Sequence, residues 1–237
     1  MKKSISLIIA LFSILFILAG CGTTAKFVYP ANIRNLKQVK DSKCTNKTVA
    51  VLPFDDMRSD KNDASQIYLA LIPLYPYGWS EYNRPESALT FLTIQKFQFN
   101  ASEDLPKAAA LSLRRSKMFK DAWFTFGGDK YRADYVFKGE IISTKYTGVL
   151  YSYGTSLACS YIWILGAPVG TSEDSLAIKF SLHDKNDKVL WTYSFNKKEK
   201  ILQWLYYRSG DDVRMYAKLM EQAMNEAILD MNKKLKN

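Results

Sequence analysis

The sequence predicts an α+β fold: a mixed β-sheet with helices packed on one face and a long amphipathic helix at the carboxyl end. Short runs rich in β-branched and aromatic residues recur along the chain between turn-forming residues, which is typical of strands. A helical pattern at residues 103–119 interrupts these runs, and a longer one begins near residue 211. Because both helices have one apolar side, we expect them to cover the same sheet.

The strand pattern is clearest in two regions. Residues 48–54, TVAVLPF, are apolar on both faces, which predicts a buried strand. Residues 175–183 and 188–195 alternate between apolar and polar, and the Asp-Lys-Asn-Asp between them predicts a hairpin. Further strands are predicted at residues 89–99, 123–126 and 133–145.

The two helices have different signatures. Ser102 is the predicted cap of the first helix, with Glu103 and Asp104 in its first turn and Pro106 soon after. In the last helix the apolar residues fall on one face: Val213, Tyr216, Leu219, Met220, Ala223, Met224, Ala227, Ile228, Met231 and Leu235. We interpret the methionines as core packing, since Met commonly fills irregular gaps in cores.

The amino terminus has the pattern of a secretory signal peptide. Two lysines precede an apolar run at residues 5–17, which at ~1.5 Å per residue is too short for a ~30 Å hydrocarbon core. The run ends in Leu18-Ala19-Gly20-Cys21, which resembles the lipobox of bacterial lipoproteins. That resemblance implies cleavage between Gly20 and Cys21 and acyl chains on Cys21. An ordinary cleaved signal with a chance cysteine is the alternative.

The domain organisation follows from this motif. We expect a cleaved signal at residues 1–20, a lipidated tether at residues 21–45 and a single α+β domain at residues 46–237. The resemblance implies a location in the bacterial cell envelope. With Gly22 after the cysteine, it implies the outer membrane, facing the periplasm, if the host is Gram-negative.

The composition favours a folded, basic domain. Hydrophobic residues make up 48% of the chain, enough for a core. The formal net charge is +10, and it becomes +8 when Lys2 and Lys3 leave with the signal. A basic surface either keeps the protein soluble or contacts anionic lipid headgroups, lipopolysaccharide or an acidic partner, and we expect no nucleic-acid partner outside the cytoplasm.

Two aromatic segments are the predicted contact surface. Residues 68–85 combine several rings with three prolines, and residues 146–170 form an insert rich in Gly, Tyr and apolar residues. Aromatic residues are enriched in binding hot spots, so these side chains are the candidates: Tyr75, Tyr77, Trp79 and Tyr82 first, then Tyr161 and Trp163. Alternatively the rings pack onto the sheet, and the insert is a core helix, a subunit contact or a segment in the lipid headgroup layer.

The remaining cysteines and the single histidine predict neither cofactor nor metal. Cys44 and Cys159 could form a disulfide in an oxidising compartment or remain two separate buried thiols. With only His183, zinc motifs that need two histidines are excluded. The sequence also has no phosphate-binding G-x-x-x-x-G-K-S/T run.

A serine hydrolase is the least favoured hypothesis. Gly154-Thr-Ser-Leu-Ala158 lacks the last glycine of the G-x-S-x-G elbow, although Asp174 and His183 follow Ser156 in hydrolase order. A triad within 30 residues is far too compact for that fold, so we interpret the order as chance and expect no enzyme.

Four short motifs carry a wider resemblance. VAVLPFDD, SLRRSKMFKDAWF, ADYVFKGEI and LHDKNDKVLWTYSF resemble bacterial envelope lipoproteins with an α/β domain like that of TolB and the curli-secretion lipoprotein. The resemblance spans most of residues 48–195, but the insert at residues 146–170 has no counterpart in it. It implies a non-catalytic binding or assembly module with an envelope protein partner. The alternative that it implies is an oligomeric secretion-channel or transport accessory subunit.

Overall fold

The computed structural model describes residues 24–39, 42–59, 65–87, 96–208 and 210–236, and it confirms the α+β prediction. Its strands are β1 (Thr24–Lys26), β2 (Thr48–Val51), β3 (Asp55–Asp56), β4 (Tyr77–Tyr82), β5 (Lys96–Gln98), β6 (Asp121–Phe124), β7 (Tyr135–Ser143), β8 (Tyr146–Tyr151), β9 (Pro168–His183) and β10 (Val189–Trp204). Its α-helices are α1 (Ala101–Arg115), α2 (Cys159–Ile164) and α3 (Met215–Lys236).

The main sheet is mixed and is organised around β9. Its order is β4-β8-β9-β7-β2-β6, with β10 paired to β9 and β3 paired to β7. Strands β2, β6 and β7 run parallel, and all pairings of β9 are antiparallel. One edge of β9 pairs with β8 and then with β7, while β10 follows its other edge. Four strand ends therefore meet at one end of the sheet: the starts of β9 and β4 and the ends of β8 and β10.

The hairpin is longer than predicted. Both β9 and β10 have 16 residues, whereas the alternating pattern covered only residues 175–183 and 188–195. The polar run at residues 196–200, which lies beyond the alternating pattern, continues the ladder opposite Ala177 and its neighbours. Alternation is a weak signal where both faces of a strand carry polar residues.

The core lies between the sheet and helices α1 and α3. Phe137, Leu176 and Phe180 of the sheet are fully buried, and α3 places Met220, Met224 and other apolar residues against them. The methionine stripe is core packing, as predicted. At ~25 cal/mol per Å² of apolar surface removed from water, this layer is the main source of stability.

Helix α1 is shifted from its predicted position. It begins at Ala101 with Asn100, not Ser102, as the N-cap residue. The Asp104 carboxylate accepts the Asn100 backbone N–H at 2.8 Å and so caps the chain before the first turn. The helix ends at Arg115 because Lys117 has a φ of 58°, outside the helical region.

The segment of residues 24–39, here called the strap, falls within the lipidated tether predicted for residues 21–45, and it contacts the domain. Strand β1 pairs in parallel with β5, and the Phe27 ring lies 5.2 Å from that of Phe99. The Tyr29 hydroxyl contacts Ser112 of α1 at 2.5 Å, and Val39 donates its N–H to the Ser116 carbonyl. The strap therefore packs along the helical layer and is held there by aromatic side chains. The sequence did not indicate this packing because the region has few apolar residues.

Candidate functional site: an uncharged apolar end

The candidate site lies at the end of the sheet where β9 begins. Three segments meet there, at residues 67–77, 151–168 and 204–207, and together they are called the apolar end. None of their 33 residues is charged, although 24% of the chain is, so about eight charges would be expected. The first segment starts with the 3₁₀ turn Ile67–Leu71, and the second contains the 3₁₀ turn Ser156–Ala158 and helix α2.

Backbone contacts hold the first two segments together. Leu74 donates its N–H to the Gly154 carbonyl at 2.9 Å, and Tyr153 donates its N–H to the Pro76 carbonyl at 2.9 Å. The Ser156 hydroxyl donates to the Leu71 carbonyl. These contacts satisfy loop backbone groups that regular structure leaves unpaired, so the end has a defined shape.

A small second core supports this shape. It contains Ala70, Leu150, Cys159, Trp163 and Val169, and it is separate from the main core. The Trp163 indole N–H donates to the Tyr151 carbonyl at 3.0 Å, and the residue is only 7% exposed. Trp163 therefore acts as the anchor of α2 in this structure, and its predicted place on the contact surface is corrected to an interior one.

The structure divides the other predicted contact residues into two groups. Tyr75, Tyr77 and Tyr161 are exposed at the apolar end, Tyr161 to 71%. Trp79 is half-buried within β4, and the ring of Tyr82 lies 6.4 Å from that of Tyr146 at the far end of the strand. The first group belongs to the candidate surface, whereas Trp79 and Tyr82 pack with the sheet.

The most exposed side chains at this end are ones that the sequence reasoning missed. Leu74 is 89% exposed and Leu165 is 87% exposed. Further exposed apolar residues surround them: Tyr68, Leu71, Ile72, Tyr153, Leu157, Ile164, Leu205, Tyr206 and Tyr207. The sequence signal that could have identified them is the absence of charged residues from long stretches. Selecting candidates by their aromatic rings left the leucines out. Isolated exposed leucines are ordinary, but a contiguous apolar patch marks an interaction site.

The cysteines are far from a pair. Cys44 and Cys159 are both free, buried thiols, Cys44 in the main core and Cys159 in the small second core. Burial raises the pKa of both thiols. The structure thus shows two separate buried thiols instead of the disulfide. Gly20 and Cys21 lie outside the described residues, so lipidation stays a prediction.

The hydrolase constellation does not assemble. Asp174 and His183 are nine residues apart on β9, which is roughly 30 Å along a strand. His183 contacts Ser181 at 2.9 Å and the Asp187 carboxylate at 3.1 Å, both in its own hairpin. Ser156 bonds to a loop carbonyl at the opposite end of that strand. A general base must lie within hydrogen-bond reach of its nucleophile, so this order of residues forms no triad.

A buried polar cluster lies next to the apolar end, under the start of α3. It is called the junction cluster and contains Tyr146, Ser172, Asp174, Gln203 and Asp212, each at most 2% exposed. The Tyr146 hydroxyl donates to the Asp212 carboxylate at 3.2 Å, and the Gln203 amide donates to the Ser172 hydroxyl at 3.0 Å. All five side chains are thus shielded from solvent by the described part of the chain.

Asp174 is the unusual member of this cluster. Within the described part of the chain, neither of its carboxylate oxygens has a hydrogen-bond partner. Burial, and then repulsion by Asp212 and Glu173, raises the pKa of Asp174 well above its usual value. Inside the fold the equilibrium of this carboxyl group is therefore shifted towards the protonated acid, since desolvation penalises the charged form.

A second cluster of polar side chains surrounds Arg58, which is 7% exposed, and links several segments of the chain. All five guanidinium N–H groups donate: two to Asp56, two to Glu86 and one to the Thr144 hydroxyl, at 2.8–3.2 Å. Arg84 adds a further bond to Asp56 at 2.9 Å. Hydrogen bonds from Arg58 are the main cause that lowers the pKa of Asp56 to about 2. This saturation satisfies the buried charge and leaves Arg58 without a donor for a ligand.

The described residues provide neither a metal-binding group nor a membrane-spanning helix. In those ranges no group of three His, Cys, Asp or Glu side chains is placed to hold a metal ion. Within the same ranges, none of the helices is both long and apolar enough to cross a bilayer. A cleft of about 330 Å³ beside Lys130, Lys138 and Lys185 contains the Lys138–Asp187 ion pair at 2.7 Å, so its charges are partly neutralised.

Comparison with known proteins gives distant structural likenesses. No family model matches the chain, and no curated protein matches it. A solved PelC dodecamer from Paraburkholderia phytofirmans is similar at 12% identity and a TM-score of 0.41, covering 81% of this chain and 92% of that one. A DUF330 protein from Xanthomonas campestris is similar at 12% identity and a TM-score of 0.38, covering 90% and 92%.

A minor lipoprotein from Acinetobacter baumannii is more distant, at 7% identity and a TM-score of 0.25, covering 81% of this chain and 92% of that one. At these identities and TM-scores the likenesses assign no function to the chain. The resemblance to the TolB amino-terminal group stays a prediction.

Proposed function

We propose that the chain is a lipid-anchored lipoprotein of the bacterial cell envelope that acts as a non-catalytic binding or assembly module. The apolar end carries this proposal: a surface without charge that exposes many large side chains in an otherwise basic protein. Exposing such a surface to water is costly, so it is retained where a partner covers it.

The anchor part of the proposal rests on the sequence. Leu18-Ala19-Gly20-Cys21 follows a positive head and a short apolar run, and Cys21 is the proposed acylation site. With Gly22 next, the proposed place is the periplasmic side of the outer membrane in a Gram-negative host. The proposed partner is another envelope component and not a nucleic acid.

A second candidate is an oligomeric accessory subunit of a secretion channel or transport system. The same apolar end favours it, because permanent interfaces between copies are more hydrophobic than transient ones. In that case the end would be buried between subunits.

The anchor is tested by Cys21→Ser in cells of a Gram-negative host. We expect the parent chain to fractionate with membranes and to incorporate labelled fatty acid, and the variant to lose both properties. A parent chain that is soluble and unlabelled would overturn the anchor proposal. Ser156→Ala is the matched test for catalysis: any esterase activity of the parent that this variant abolishes would contradict the non-catalytic proposal.

The contact surface is tested by light scattering on gently detergent-extracted protein, with identification of chains that co-purify. A monomer or dimer that brings one envelope protein supports the binding module, whereas a homogeneous assembly of many copies supports the accessory subunit. Tyr77→Glu with Tyr161→Glu should abolish either association. Tyr131→Glu is the control, since Tyr131 is 80% exposed outside the apolar end. Equal association of both variants would contradict a role for this surface.

A further inference from the structure

We infer that the apolar end inserts into the interfacial layer of a lipid bilayer, with Leu74 and Leu165 inserted most deeply. This inference rests on the proposed function, because the lipid anchor places the domain on a membrane. It names the envelope component that the apolar end contacts.

The first argument is the shape of the surface. Leu74 lies at the tip of the turn between the 3₁₀ segment and β4, with a φ of 73°. Leu165 caps the end of α2 and is followed by Gly166, whose Cβ position would meet no atom within 4 Å. The two most exposed leucines thus lie on convex tips, not on a flat face. A bilayer accepts protruding apolar tips of any shape, whereas a protein partner must supply a matching pocket.

The second argument is the order of side chains behind the tips. Tyr75, Tyr77 and Tyr161 are each about half or more exposed, close to the leucines in the chain. Tyr side chains are enriched at membrane–water interfaces, where the ring is apolar and the hydroxyl stays hydrated. Aliphatic tips backed by tyrosines are the arrangement expected of a surface that enters only the headgroup and upper acyl region.

The third argument is charge. A charged side chain at the contact would have to be desolvated, and the apolar end contains none. The first charged residue beyond it is Arg208, which is exposed and has its guanidinium 5.2 Å from the centre of the Tyr207 ring. A cation at this margin suits the phosphates of lipid headgroups, which lie just above the acyl layer.

The fourth argument is the position of the anchor. Cys21 is three residues before β1, a distance of at most ~11 Å along the chain. Strand β1 pairs with β5, which packs beside the 3₁₀ segment Pro85–Ser87 that follows β4. The apolar end lies at the start of β4. The six residues of β4, at ~3.3 Å each, separate it by about 20 Å from the end of β4 that leads to Pro85–Ser87. The acyl chains and the leucine tips are therefore two separate attachment points, which together fix the orientation of the domain.

The test measures the depth of the tips in the full, acylated protein. Leu74→Cys and Leu165→Cys are labelled with an environment-sensitive fluorophore, which is selective because Cys44 and Cys159 are buried. Phe126→Cys and Tyr131→Cys are the controls, being 72% and 80% exposed near β6, at the opposite edge of the sheet. The proteins are reconstituted into phosphatidylethanolamine–phosphatidylglycerol vesicles, and quenching by nitroxide-labelled lipid is compared with quenching by aqueous iodide.

We expect lipid nitroxides to quench the two tip labels at least about threefold more strongly than the control labels, with iodide showing the reverse order. Tips quenched by iodide as strongly as the controls would overturn the inference. Tips shielded from both quenchers would also overturn it, since a second copy or a protein partner would then cover them. Protein that does not co-sediment with the vesicles at all would instead refute the anchor, so the two failures are distinguishable.

Discussion

Arg58 shows at the scale of one residue how separate parts of the chain are fixed to each other. Its five bonds reach β3, the 3₁₀ segment Pro85–Ser87 and the turn between β7 and β8. We expect Arg58→Met to lower the free energy of unfolding by about 3–5 kcal/mol, because it leaves two carboxylates without their partner.

Urea denaturation measures this effect. Arg214→Met is the matched control, since the Arg214 side chain is 80% exposed and should change stability by under about 0.5 kcal/mol. A loss at Arg58 no larger than at Arg214 would show that the buried network contributes nothing.

The Asp56 carboxyl makes the same network sensitive to acid. Its pKa of about 2 in the folded chain lies below the ordinary value of 3.8. The unfolded state therefore binds the proton more tightly, and the stabilisation is complete above pH ~4 and is lost as the pH falls towards 2. Unfolding measured from pH 5 to pH 2 should show a steeper loss in the parent than in Asp56→Asn. Parallel curves would be inconsistent with the lowered pKa.

Asp174 predicts the opposite pH dependence. Its pKa is raised in the fold, so the folded state binds the proton more tightly than the unfolded state, and the stability of the parent falls as the pH rises above the unfolded value near 4. We expect Asp174→Asn to be more stable than the parent at pH 7, by about 1–3 kcal/mol, and nearly equal to it at pH 4. Thermal unfolding at both values checks this. A variant that is less stable at pH 7 would mean that the carboxylate is stabilised by a partner.

At the scale of elements, the apolar end depends on close contact between the 3₁₀ segment Ile67–Leu71 and β4. A Cβ on Gly78 would lie 2.4 Å from the Ile67 carbonyl oxygen. Gly78→Ala should therefore cost about 1–3 kcal/mol and displace the 3₁₀ segment, because backbone cannot yield as a side chain can. Gly128→Ala is the control, since nothing lies within 4 Å of its Cβ position. Comparison of urea midpoints and Trp fluorescence of the two variants measures the effect.

The elements that the sequence predicted well are those with strong, local periodicity. The buried strand at residues 48–54, the strand at residues 133–145 and the last helix are recognisable because each has a consistent apolar pattern. Their bounds shifted by a few residues, as for Ser102 and Asn100, since caps depend on single hydrogen bonds.

The features that the sequence did not indicate depend on distant contacts. The residues that surround Arg58 are as far as 86 positions away, at Thr144, so no local pattern reveals them. Asp174 lies in a polar stretch that looks solvated, and only the pairing of β9 on both sides buries it. Of the side chains exposed at the apolar end, the sequence singled out Tyr75, Tyr77 and Tyr161, whereas Leu74 and Leu165 emerge only when the ends of four strands are brought together.

At the scale of the whole molecule, the strap ties the amino-terminal region to the helical layer. Asn32 donates its N–H to Glu221 at 2.6 Å, and Lys37 donates its N–H to Asn225 at 2.9 Å. We expect Phe27→Ala to cost about 2 kcal/mol and to release the strap, since half-buried rings contribute part of the 3–5 kcal/mol of fully buried ones.

Limited trypsin digestion measures that release. Cleavage after Lys26 and Arg34 should accelerate in Phe27→Ala while the rest of the domain stays resistant. Val28→Ala is the control, because Val28 is 69% exposed and adjacent to Phe27. Equal digestion of the two variants would show that the Phe27 ring does not hold the strap.

The strap also sets how the protein can find a partner. An acylated Cys21 only three residues from β1 would confine the domain to a layer one molecule thick, so that diffusion becomes lateral. Two components held in such a layer meet at effective concentrations that can reach the millimolar range. An association with a dissociation constant far too weak to survive purification would then be largely occupied at the membrane, and the affinity measured for a detached domain would underestimate the occupancy in the envelope.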